Sequence, residues 1–252
     1  MKYTVQDVLQ YVESEDVKFI RLAFCEETGR QKNLAIMPAE LPRAFERGAA
    51  VFFGGREILL RPDPATLTQM PWRPQQGRVV HLFCDLAERD GTPCPEDARR
   101  LLRENWDETW EIEVELPFTL YPLQEDGTPA PMPFDRGGWL DVAPLDRGEN
   151  LRREICLTLE QMGLLPWRSH HGEGPGENLV KYQAACPVKA GDDLVLFRDL
   201  VRAVSAQNGL FADFSGARLQ IRVRGGGTSK VFAELDGEGN PYALLDRLLA
   251  RC

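Results

Sequence analysis

The chain has 252 residues, of which 43% are apolar and 27% charged, and a formal net charge of −9. That is enough apolar material for one large domain or two modest ones, while the acidic balance excludes a chain that wraps nucleic acid or holds an anionic membrane by charge. No apolar run approaches the ~20 residues of a membrane span, and MKYTVQDVLQYVESED carries acids where a signal peptide has its apolar core. Six cysteines, with no C-x-x-C pair, read as reduced and mostly buried, so the expected location is cytoplasmic, with no nucleic-acid and no membrane partner.

The first element is a helix over 4–14: Thr4 and Asp7 form a short-armed capping box, and Val5, Val8, Leu9 and Val12 share a face. VKFIRLAFCEETGRQKNLAIM alternates on both sides of a polar turn and predicts a β-hairpin. A short helix at Leu41 to Phe45 follows, then two strands in VFFGGREILLRPDP broken at Gly54-Gly55, then a strand in RVVHLFCDL. Together these predict a helix on a small, mostly antiparallel sheet, closing near residue 88.

A helix is expected to start at Pro95, which suits a first turn, and TWEIEVELPFTLYPL reads as one long strand. Asp146 and Glu149 form a second expected capping box, for a helix carrying Ile155, Leu157, Leu159 and Met162 and closed by Gly163. A strand into Ser169-His170-His171, an amphipathic helix over 190–208, strands around Gly225-Gly226-Gly227 and a final helix complete the chain. Paired, alternating strands favour α+β with antiparallel sheets over a doubly wound parallel sheet. Neither G-x-G-x-x-G nor G-x-x-x-x-G-K-[ST] occurs, and no G-x-S-x-G elbow supports a hydrolase triad.

Three constellations carry candidate chemistry. In HHGEGPGENLVKY, His170 can join Glu173 and Glu177 around a metal, or the stretch is a solvated turn; His170 and His171, adjacent on a strand, point to opposite faces. Glu111, Glu113 and Glu115 share a strand face, where repulsion calls for arginines, a cation, or a divalent metal bridging Glu113 and Glu115; an exposed acidic face explains them as well. RLQIRVRGGGTSK sets Arg218, Arg222 and Arg224 on one face beside a glycine turn, either as the outer face of a hairpin or as anion contacts, with Arg222 and Arg224 the ligand candidates.

Several segments together resemble the glutamine synthetase family: YTVQDVLQYVESEDVKFIRLAF with NLAIMPAELPRAFERG, RPDPATLTQMPWRPQQGRVVHLFCDLAERDGTPCPEDARRLLR, GGWLDVAPLDRGENLRREICLTLEQMGL followed by SHH, and NPYALLDRLLA. The resemblance implies a β-grasp domain over 1–88, a shortened catalytic domain over 89–252, ATP and divalent metals as the family's cofactors, and rings as its assembly. Its catalytic pattern breaks in this chain. Glu113 and Glu115 match the family's glutamate pair in one alignment and Glu115 alone in another. Gly172 and Leu179 stand where metal glutamates belong, Phe53 where a catalytic aspartate belongs, and Val231 and Ala233 where a metal glutamate and a substrate arginine belong. Between FADFSGA and RLQIRVR the family's long insertion is missing. The expectation is a non-catalytic relative with no cofactor, acting by self-association or with a full-length glutamine synthetase. The alternatives are a rebuilt ligase using Mg or Mn with ATP, and a sensor of an amino acid or nucleotide.

Overall fold

The computed structural model describes residues 3–71, 77–234 and 237–252, the side chain of Glu234 excepted. Residues 72–76, within one resembling segment, and 235–236, within the last predicted strand-and-turn stretch, lie outside it. The chain forms two compact units, Met1–Asn105 and Trp106–Cys252.

The first unit opens with α1 (Val5–Ser14), whose capping box is present: the Asp7 N–H donates to Thr4 Oγ1 at 3.2 Å and the Thr4 N–H donates to Asp7 Oδ2 at 2.8 Å. The predicted hairpin forms as β1 (Val17–Cys25) and β2 (Gln31–Ile36), followed by α2 (Leu41–Arg47), β3 (Ala49–Phe53), β4 (Arg56–Pro62), β5 (Thr68–Gln69) and β6 (Arg78–Glu88). The sheet order is β2-β1-β6-β4-β3, with β5 on β6. Among the described residues of this sheet, only the β1/β6 pair is parallel. Central placement explains why β6 reads as an almost unbroken apolar run, since both of its faces are covered. Val8 and Val12 of α1 pack with Ile20, Leu22, Leu60, Val80 and Leu82 of the sheet.

The unit extends past residue 88 because α3 (Ala98–Asn105) is tied to β6: buried Arg99 donates to Asp85 at 2.8 Å and to Asp63 at 2.9 Å, and Asp97 accepts the Leu86 N–H at 2.8 Å. This helix starts at Ala98 and not at Pro95. Asp97 accepts the Arg99 and Arg100 N–H groups and so caps it, leaving Pro95 in the preceding turn.

In the second unit the stretch read as one strand is two, β7 (Glu111–Glu115) and β8 (Phe118–Pro122), in different sheets. Pro117 lies at the break; a residue without an N–H suits the point where the chain leaves one ladder for another. The remaining elements are α4 (Glu149–Gln161), β9 (Pro166–His171), β10 (Glu177–Tyr182), α5 (Pro187–Gln207), β11 (Leu210–Asp213), β12 (Leu219–Gly225), β13 (Thr228–Glu234) and α6 (Pro241–Leu249). They complete sheets ordered β11-β8-β10-β9 and β13-β12-β7, with every pair antiparallel.

Two helix readings are corrected. The N-cap of α4 is Gly148 with no side-chain cap, because Asp146 is engaged by Arg152, and Leu157 faces outward. α5 is covered almost all round, so it is a core helix, and Asp192, Asp193, Arg198 and Ser205 are buried with it. Asp192 accepts the Tyr242 hydroxyl of α6 at 2.7 Å, and Gly191 makes room for that ring: a Cβ there would stand 2.5 Å from Tyr242 Cδ1.

Candidate functional site

Alternation along β7 sends Ile112 and Val114 into the core and leaves Glu111, Glu113 and Glu115 together on the other face. The antiparallel register sets Arg224 opposite Glu111, Arg222 opposite Glu113 and Gln220 opposite Glu115. On the far side of β12, Val231 stands opposite Arg222 and Ala233 opposite Gln220. The face therefore runs from acidic to basic to apolar across three strands.

From β10, buried Lys181 reaches this face and pairs directly with Glu115, its Nζ also 3.9 Å from Glu113 Oε1. Arg222 and Arg224 each approach Glu113 Oε2 at 3.8 Å, Arg224 meets Glu111 at 3.1 Å, and Arg168 lies 4.0 Å from Glu115. The Lys181 ammonium also sits 5.8 Å from the centroid of the Trp167 ring. Burial pushes the Lys181 ammonium below the ordinary lysine range, against the pull of Glu113. Mg²⁺ or Mn²⁺ requires a shell made mostly of oxygens. Here Lys181 and three arginines already face the carboxylates, so these residues do not fit a divalent ion. Sequence reasoning anticipated arginines beside the glutamates and missed Lys181. Its signal was present, because a lysine two residues after Leu179 on the same strand shares that residue's face.

In the histidine stretch a turn forms over residues 173–176, with Glu173 and Pro175 exposed, while the two histidines before it lie in β9. Both rings are buried. His170 Nδ1 lies 2.8 Å from the His171 carbonyl, its ring meets Trp139 edge-on at 4.6 Å, and Nε2 has no hydrogen-bond partner among the described residues. Glu177 accepts the Gly174 N–H at 2.9 Å and folds over Gly172, where a Cβ would stand 2.5 Å from Glu177 Cγ. Leu179 is buried and Glu173 exposed. Among the described residues, Glu113, Glu115, His170, Glu173 and Glu177 form no group of three ligating atoms within 4.8 Å of one another.

One such group does exist, Asp135, Asp146 and His171, all buried. Its oxygens are already taken. Asp135 accepts from His171 Nε2 at 2.9 Å and from the N–H groups of Gly176, Arg147 and Gly137 at 2.8, 3.0 and 3.2 Å. Asp146 is gripped by both terminal nitrogens of Arg152, at 3.1 and 2.5 Å, and accepts the Gly148 N–H at 2.9 Å. Arg152 also donates to Asn178 Oδ1 at 2.5 Å, so a guanidinium occupies the centre. His171 Nδ1 faces the Gly172 carbonyl at 3.0 Å, so both ring nitrogens meet acceptors. Burial, the largest single influence, pulls the His171 pKa down, but the hydrogen bonds to Asp135 and Gly172 with the charges of Asp135 and Asp146 raise it overall. Burial likewise works to raise the Asp135 pKa, and its four donors outweigh that and lower it. This ionic core, in which Arg152 Nε is the one buried polar side-chain atom without a hydrogen-bond partner among the described residues, locks the 133–148 loop to β9 and β10. Gly137 is part of it, because a Cβ there would stand 2.7 Å from His171 Nε2.

The family model described as "Glutamine synthetase, catalytic domain" matches residues 98–223, half of the chain. The glutamine synthetase of Clostridium saccharobutylicum is 34% identical over 229 residues, 84% of this chain and 52% of the relative. That of Mycolicibacterium smegmatis is 36% identical over 228 residues, 82% of this chain and 50% of the relative. The chain thus spans about half the length of the curated relatives it matches. Among solved structures, ligand-free GmaS superposes with a TM-score of 0.75 at 23% identity over 92% of this chain and 60% of that one. A cryo-EM structure of Plasmodium falciparum glutamine synthetase superposes with the same TM-score at 14% identity, over 91% and 56%. At those identities the superpositions establish the fold.

Proposed function

Because the chain belongs to the glutamine synthetase family while its candidate metal face is filled by its own cations, we propose that it is a non-catalytic member that acts through association, with itself or with a complete synthetase. The observation that carries this reading is the side-chain chemistry where the family resemblance places ligating carboxylates: Gly172, Leu179 and Val231 offer no oxygen ligand. Phosphoryl transfer depends on metal ions to neutralise and position the phosphates, a contribution of several kcal/mol. The connection from β11 to β12 through residues 214–218 is a tight turn, with the Ala217 N–H donating to the Phe214 carbonyl at 3.2 Å, where the resemblance implies a long inserted segment.

The sheet of the first unit, with a parallel central pair and α1 against it, supports a β-grasp reading of the N-terminal part. Association is supported by the 133–148 loop, which shows Trp139, Leu140, Val142 and Leu145 to solvent, with Leu140 held at φ 60°. The test has two arms. Incubation with ATP, glutamate, ammonium and Mg²⁺ or Mn²⁺ is expected to release no phosphate above background; turnover that Glu113→Gln abolishes would replace this reading with the ligase alternative. Light scattering on the chain alone and mixed with a complete glutamine synthetase is expected to show a species larger than the monomer in one or both samples. A strict monomer that joins no synthetase overturns the association reading.

A further inference from the structure

We propose that Lys181 is a tethered cation that closes a latent divalent-metal site between Glu113 and Glu115. The inference rests on the non-catalytic reading and gives it a physical cause. The lysine comes from β10, a different sheet from the β7 carboxylates it meets, and its ammonium is the only buried cation touching them among the described residues. The arginines on this face differ in kind: Arg168, Arg222 and Arg224 are each close to half exposed, and their approaches to Glu113 and Glu115 are loose, at 3.8 to 4.0 Å. Such guanidinium groups can swing into water at little cost.

Glu113 and Glu115 are mostly buried, with side chains 16% exposed. Two carboxylates so placed on one strand face need a compact positive charge between them, because partial burial strengthens their repulsion and water does not screen it fully. An ammonium on a four-carbon stem supplies that charge and cannot dissociate from the protein. The Trp167 ring flanks it, with its centroid 5.8 Å from the ammonium. Leu179, two residues before Lys181 on the same face, offers no oxygen beside them. A divalent ion would have to displace the lysine from the carboxylates it neutralises, and the bound lysine therefore excludes it.

The experiment is a Mn²⁺ titration, followed by loss of the free-ion electron paramagnetic resonance signal, on the wild-type chain, Lys181→Met, Lys181→Gln, and Lys181→Met combined with Glu115→Gln. The wild type is expected to take up no Mn²⁺ at this face. Either single variant is expected to bind Mn²⁺ tighter than the wild type by roughly tenfold or more, and the double variant to lose that gain. Circular dichroism establishes which variants are folded. The proposal is overturned if the wild type binds Mn²⁺ in a manner that Glu113→Gln and Glu115→Gln abolish, or if a folded Lys181 variant binds no more than the wild type. These failures are distinct from failure of the non-catalytic reading, which is judged by phosphate release from the wild type. An inert wild type with inert Lys181 variants removes the tethered cation alone.

Discussion

His171 has an acceptor at each ring nitrogen, and a buried imidazole so placed is most stable as the cation. Its folded pKa is raised above the ordinary 6.5, so its contribution to stability is complete below 6.5 and is lost as pH rises through the folded value. The melting temperature of the wild type should therefore fall relative to a His171→Gln variant as pH rises above 6.5; parallel profiles for the two would count against a charged His171. Arg152 is the neighbouring test. Arg152→Ala leaves buried Asp146 without its charge partner and Asn178 without its donor, an expected loss of about 3–5 kcal/mol in denaturant unfolding. A loss within experimental error would mean that water reaches Asp146. The sequence showed Asp146 as a cap candidate because Glu149 follows at the right spacing. That the carboxylate prefers Arg152 depends on Asn178 of β10 arriving beside it.

At the scale of elements, legibility tracks how local the determining forces are. The capping box of α1, the first hairpin and the strand pair at Gly54-Gly55 were readable because each is closed by residues a few positions apart. β7 and β8 were read as one strand because alternation continues through Leu116-Pro117, and only their separate partners, β12 on one side and β10 with β11 on the other, divide them. α5 looked amphipathic for a related reason: its acids resemble a solvated face until Tyr242 and Lys189 cover them. Burial pushes the Asp193 carboxyl up to about 6, with Asp192 adding to the rise and Lys189 opposing it. A raised carboxyl pKa favours folding while the group is protonated, so this contribution is lost as pH rises from 3.8 to about 6. Asp193→Asn should flatten the stability profile across that window and leave the variant at least as stable as wild type at pH 7; urea unfolding at pH 4, 5, 6 and 7 measures it, and an unchanged slope would refute it.

For the whole molecule, the consequence of interest is association. Trp139, Leu140, Val142 and Leu145 project from a loop whose base is held by the Asp135, His171 and Arg152 network, so the loop presents its apolar side chains from a rigid support. Val142, 72% exposed, is the most open of them. Val142→Asp should lower the apparent mass in light scattering, or abolish co-elution with a complete synthetase, while the melting temperature stays close to wild type. An unchanged mass distribution would place the interface elsewhere. No helix among the described residues is long and apolar enough to cross a membrane.

The amino-acid sequence by itself determined the α+β class, most elements of the first unit, the kinship with the glutamine synthetase family, and the positions where expected carboxylates have become Gly172, Leu179 and Val231, because identity and short-range pattern are properties of the chain read in order. Tertiary structure alone decided what became of the carboxylates that remain. Glu113 and Glu115 had exposed, ion-paired and metal-bound readings open to them on β7. The closure came from Lys181, a residue far along the chain whose strand belongs to another sheet, and charge balance at a partly buried site is settled by whichever cation the fold delivers there.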